Sequence, residues 1–270
     1  MPHPIERLRY VARAGGAGAS VLAEEAAAAL ERFAAEPAAL VTGCRRLIAR
    51  NVTVGPLWWL AARVLAASDP MAEARRAAHD LEADTTALVL TPLIPDDASV
   101  VILGWPEQVG DALRKRGDLE VFVIDVLGEG SAFARRLEAL DVDAVDVRES
   151  GLGSAVAAAD LLLLETSALG PGGFVAVSGS RAAAAVARTA GVPVWVVAGV
   201  GRVLPARLWD VLVSQLDADD DPWELAEEVV PIDLADSVVG PGGCLPAAEA
   251  YTRADCPVVP ELLKLGTPTQ

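Results

Sequence analysis

Apolar residues follow two different rhythms along this chain. Up to about residue 85 they recur at helical spacing. Ser20 is placed to cap a helix over residues 21–35, where alanines combine with Leu22, Leu30 and Phe33. Pro37 opens a second segment, with Leu40, Leu47 and Ile48 at helical intervals. The strongly apolar run 53–67 predicts a third helix, whose Trp58 and Trp59 are expected to pack between helices or domains. Ser68-Asp69-Pro70 interrupts the chain, and residues 71–86 read as one more helix.

From about residue 92 short, continuous apolar runs alternate with helical stretches. Strands are predicted at residues 99–103, 119–124, 144–147, 161–164, 174–177 and 194–198. Helices are predicted at 106–116, 131–140, 153–159 and 181–190. This alternation argues for a mainly parallel sheet covered on both faces. The chain is therefore read as α/β, with a helical domain over residues 1–91 and a sheet domain over 92–270. Ligands of such sheets sit at the carboxyl ends of the strands. Those ends are Gly104-Trp105, residues 125–130, Glu165-Thr166-Ser167, residues 178–181 and residues 199–202. Residues 217–228 read as an acidic loop and helix start, and 229–232 as a candidate further strand. The Pro- and Gly-rich tail after Gly240 is expected to pack on a partner subunit.

Composition narrows the function classes. A 53% apolar and 22% charged chain of 270 residues is long enough to bury one large or two modest cores. No window is apolar enough to span a membrane, and the start, MPHPIERLRY, lacks the pattern of a secretory leader. A cytoplasmic protein is expected. The net charge of −16 falls on residues 86–270, the first 85 being balanced. That field argues against direct contact with nucleic acid or an anionic membrane. Three scattered cysteines and the histidines His3 and His79 make neither a disulfide scaffold nor a zinc site. No metal and no cofactor are expected.

Candidate chemistry lies at the strand ends. Gly15-Gly16-Ala17-Gly18 resembles a dinucleotide fingerprint, but helical rather than strand-like residues precede it. Gly18, Ala19 and Ser20 fit a loop at a helix start better. Ser178-Gly179-Ser180-Arg181 joins a strand to a helix, where free amides, hydroxyls and Arg181 suit an anion. The alternative is that a serine merely caps the helix. Asp125 and Glu129-Gly130 follow one strand and Glu165 ends another, so these carboxylates are candidates for sugar hydroxyls or for an acid/base pair.

Several of these stretches, taken in order, carry a resemblance. They are Gly18-Ala19, the segment Arg50-Asn51-Val52-Thr53, the loop ending Glu129-Gly130, the whole block 158–198, Pro231-Ile232-Asp233 and residues 256–263. The chain resembles the family of methylthioribose-1-phosphate isomerase, ribose-1,5-bisphosphate isomerase and the alpha, beta and delta subunits of initiation factor 2B. The resemblance implies a helical N-terminal domain, a Rossmann-like C-terminal domain and a homodimer joined through the latter. It also implies a phosphorylated sugar or nucleotide ligand, with Gly18, Ala19, Arg50, Glu129, Gly130, Ser167, Ser178, Ser180 and Arg181 as contacts.

The departures bear on activity. Where the isomerases carry a cysteine this chain has Gly104-Trp105, and Ser167 stands in the place of their proton-transferring aspartate. Val177-Ser178 stands where they have Asn-Lys, and the Arg-Pro ahead of their acidic residue and glycine is missing. A noncatalytic relative is therefore expected. The alternative is an aldose–ketose isomerase with Asp125 and Glu165 as a rearranged acid/base pair.

Overall fold

The computed structural model describes residues 19–30, 36–216 and 221–264. Gly18 lies outside the described residues, as does the end of the first predicted helix. Among the described residues five helices come first: α1 (Ala19–Leu30), α2 (Pro37–Arg50), α3 (Gly55–Ala66), α4 (Pro70–Glu82) and α5 (Thr86–Leu90). Prolines in the first turns of α2, α3 and α4 remove an amide that would have no partner there. Asp69 caps α4 by accepting from Ala72 N at 3.0 Å. Helix α3 is buried nearly all round. Its Arg63 lies 4.4 Å from the Trp59 ring centroid and pairs with Glu73 and Asp80.

Both tryptophans are fully buried, and each indole has a partner: Trp58 Nε1 donates to Val52 O and Trp59 Nε1 to Asp255 Oδ1. The second bond joins the C-terminal tail to the helices. Cys256, Val259 and Leu262 pack into the same core as α1–α4, and Arg45 Nε donates to Glu261 O at 2.7 Å. The described tail covers the chain's own helices. That core also takes in Leu204, Leu208, Trp209 and Leu212. The last three belong to a helix over residues 206–216 that was not anticipated.

The later part holds strands β1 (Ser99–Leu103), β2 (Glu120–Asp125), β3 (Asp143–Arg148), β4 (Leu161–Glu165), β5 (Ala168–Gly170), β6 (Gly173–Val177), β7 (Val194–Val197), β8 (Glu227–Pro231), β9 (Ser237–Gly240) and β10 (Gly243–Pro246). Helices α6 (Glu107–Leu113), α7 (Gly130–Glu138), α8 (Leu152–Ala158), α9 (Ser180–Ala190), α10 (Ala206–Leu216) and α11 (Ala247–Ala250) lie between them or follow. Seven strands form one sheet in the order β10-β9-β7-β4-β1-β2-β3, parallel except for β10. Alternate residues of one strand enter different cores, as a period of two requires. Val101 and Leu103 pack with α8 and α9, whereas Val100 and Ile102 pack with α5, α6 and α7. The predicted α/β architecture, helices first and then a Rossmann-like, mainly parallel sheet, is present.

One strand differs from its expected place. The apolar run 174–177 reads as part of the parallel sheet, but β6 pairs antiparallel with β5 and β8 in a separate three-stranded sheet. The reason is local. Only Pro171-Gly172 separates β5 from β6, and so short a link makes a hairpin, whereas a parallel neighbour needs a crossover.

Candidate functional site

The order in which strands are added reverses between β1 and β4, parallel inner strands from which β2 and β3 extend to one side and β7 and β9 to the other. Open α/β sheets bind ligands beyond the carboxyl ends of the strands at such a point. A cavity of about 310 Å³ lies there, lined by Leu103, Trp105, Leu127, Glu129, Glu165, Thr166, Ser167, Val177, Ser180, Arg202 and Glu227, among others.

The structure thus brings four predicted residues to one cavity: Glu129, Glu165, Ser167 and Ser180. Asp125, Gly130, Ser178, Arg181 and Arg50 are not among its lining. Arg50 is exposed at the last residue of α2. Ser178 N donates to Ala226 O at 2.9 Å, which ties the end of β6 to the approach to β8. Ser167 is held from two sides, its N–H donating to Val175 O and its carbonyl accepting from Gly55 N, both at 2.9 Å. A Cβ at Gly55 would lie 2.5 Å from that carbonyl, so only glycine lets α3 approach this closely.

Three carboxylates at this edge, Asp125, Glu165 and Glu228, share one arrangement. Asp125 Oδ1 accepts from Gly130 N, at the start of α7, at 2.8 Å. Glu165 Oε2 accepts from Val109 N, in the first turn of α6, at 3.1 Å. Glu228 Oε1 accepts from Arg181 N, at the start of α9, at 3.0 Å. Each helix start would otherwise present a free amide and a partial positive charge toward this edge. Each instead receives a carboxylate from the chain itself. Gly130 is required for the first contact, since a Cβ there would lie 2.6 Å from Asp125 Cα.

Glu165 carries a second partner. Arg202 Nη1 donates to Glu165 Oε1 at 2.9 Å and to Thr166 O at 2.6 Å. Both side chains are largely buried, at 9% exposure for Arg202 and 11% for Glu165. The guanidinium and the Val109 amide therefore engage both carboxylate oxygens. The strand end 199–202 is visible in the sequence, but neither the role of Arg202 there nor that of Trp105 as a cavity wall is. Trp105 is fixed by Phe133, with ring centroids 5.1 Å apart, and by Arg136, 5.6 Å from its centroid. The signal for Arg202 was an arginine at a strand end two residues beyond Val200, at the glycine-rich stretch 199–202.

Ser180 is the exception to this saturation. It is fully buried, and its Oγ has no hydrogen-bond partner. Gly179 before it sits at φ +94°, a conformation glycine adopts without strain.

No thiol lines the cavity. Cys44 and Cys256 lie in the helical core, where burial pushes each thiol up to about 12, while Cys244 is exposed on β10. Iodoacetamide at pH 8 is expected to alkylate Cys244 readily and to label the other two only on unfolding. Mass spectrometry of the native protein checks this. Among the described residues no group of three or more His, Cys, Asp or Glu is placed to hold a metal ion. Among them, too, no helix is long and apolar enough to cross a membrane.

No protein-family model and no curated protein sequence matches the chain. Solved structures do. The translation initiation factor eIF-2B of Pyrococcus horikoshii OT3 superposes with a TM-score of 0.77 at 16% identity, over 93% of this chain and 99% of that one. The eIF2B beta subunit of Chaetomium thermophilum gives 0.72 at 18% identity, over 96% and 91%. A chain of the tetrameric eIF2B-beta2-delta2 complex from the same organism gives 0.73 at 18%, over 92% of each. At such identities the likeness is one of architecture: over nearly its whole length this chain has the fold of eIF2B subunits.

Proposed function

We propose that this chain is an eIF2B-like, noncatalytic relative of the sugar-phosphate isomerases: a cytoplasmic homodimer that holds a small ligand at the switch-point cavity. The observation carrying this reading is the use made of its strand-end carboxylates. Asp125 and Glu165, the two candidates for proton transfer, accept from the starts of α7 and α6. Glu165 is also paired with Arg202. Moving a proton between two sugar carbons needs an acid and a base that are both free to face the substrate. Here Asp125 is not part of the lining that contains Glu165, and no cysteine joins it.

The fold neighbours support a role in an assembly, one of them being a subunit of a tetrameric complex. The acidic charge of −16 supports protein or small-molecule partners over nucleic acid. Light scattering coupled to gel filtration is expected to give the mass of two chains. For catalysis, the purified protein is expected to leave ribose 1,5-bisphosphate and methylthioribose 1-phosphate unconverted in an overnight NMR assay. Conversion at ordinary enzyme rates would overturn the noncatalytic reading.

A further inference from the structure

We propose that the switch-point cavity accepts an uncharged, polyhydroxylated ligand of monosaccharide size and rejects phosphorylated ones. This rests on reading the cavity as the ligand site of a noncatalytic protein. Its lining contains three carboxylates, Glu129, Glu165 and Glu227, and one cation, Arg202. That cation is already bound to Glu165. A phosphate group brings a charge of about −1.5 to −2 at neutral pH and needs free cations or helix-start amides to receive it. Arg181 N, the amide best placed for this at the start of α9, is held by Glu228. The start of α6 is held by Glu165 and that of α7 by Asp125. An incoming phosphate would therefore meet three carboxylates, with the lining's one cation already paired and an amide at each helix start already taken.

A sugar hydroxyl meets the opposite situation. Ionised carboxylates only accept, and hydroxyl groups supply the donors they lack. The buried Ser180 Oγ, with no partner in the protein, independently points to a ligand, since a polar atom left this way is costly unless something binds it. Ser167 adds a half-buried hydroxyl to the lining, and the fixed Trp105 ring offers an apolar surface for sugar C–H groups. A volume of about 310 Å³ stands at the small end of ligand cavities, which sets the size class.

The test is ligand-observed NMR titration of the full chain with D-ribose, ribitol and D-arabinose, each beside its 5-phosphate counterpart. At least one uncharged compound is expected to bind, and its phosphate to bind at least tenfold more weakly. Ser180→Ala is expected to weaken the uncharged compound about fivefold, as the loss of one hydrogen bond implies. Glu227→Arg is expected to raise phosphate affinity at least tenfold, and the milder Glu227→Gln to move it the same way. Tighter binding of the phosphates to the unaltered protein, or no binding by any uncharged compound, would overturn the proposal. Neither result concerns turnover, so the noncatalytic reading stands or falls separately.

Discussion

Replacing Asp84 by alanine is expected to lower the unfolding free energy by about 3 kcal/mol, which for a chain of this size corresponds to a fall in Tm of about 5 °C. Asp84 follows α4, where the helical part of the chain meets the sheet. Its Oδ1 accepts from Thr86 N at 2.8 Å and from Thr86 Oγ1 at 2.6 Å, and so starts α5. Its Oδ2 accepts from Val200 N at 2.8 Å and from Gln108 Nε2 at 3.3 Å. One carboxylate therefore ties together α5, α6 and the loop after β7. Alanine would strand the Val200 amide and the buried Thr86 hydroxyl without an acceptor. Asparagine is expected to recover less than half of the loss, because its amide nitrogen would face a donor. Glu138→Ala, at an exposed helix end, is expected to stay within about 0.5 kcal/mol. Calorimetry of the three variants decides; a loss below 1 kcal/mol for Asp84→Ala would contradict the assigned role.

The second large effect concerns Arg202. Arg202→Ala is expected to cost about 3–5 kcal/mol, because it leaves a nearly buried Glu165 carboxylate without its cation. The Thr166 carbonyl loses a donor in the same step. If the pair is structural, removing both charges together relieves most of that cost. The double variant Glu165→Leu/Arg202→Met is therefore expected to be more stable than Arg202→Ala alone, by about 2 kcal/mol or more. Chemical denaturation with matched slopes measures both. A double variant no more stable than the single one would mean that the ion pair contributes in some other way.

Comparison of particular elements explains what was legible beforehand. The run of four leucines at 161–164 and the valine-rich 99–103 could be read as strands because burial on both faces demands continuous apolar sequence. Strands β9 and β10 were hidden because each has four residues and Pro241-Gly242 lies between them, so local composition spoke only of a turn. The candidate cavity was legible as topology: strand ends converge, and Glu129, Glu165, Ser167 and Ser180 converge with them. The hydrogen-bond partners were not. Whether Asp125 faces a ligand or the Gly130 amide depends on a five-residue turn through Leu127 and Gly128, both at positive φ. Whether Arg181 N is free depends on Glu228, forty-seven residues away on another sheet. Arg202 reaches Glu165 across thirty-seven residues, a distance no periodicity encodes.

On the proposed noncatalytic reading, this scaffold does not move protons on a sugar. The decisive experiment incubates stoichiometric protein with ribose 1,5-bisphosphate, and separately with D-ribose, in deuterium oxide while the C1 and C2 protons are followed by NMR. No protein-dependent loss of either signal over several days is the predicted result. Deuterium entering at C2 in the presence of the unaltered protein, and failing to enter with Glu165→Gln, would contradict the account.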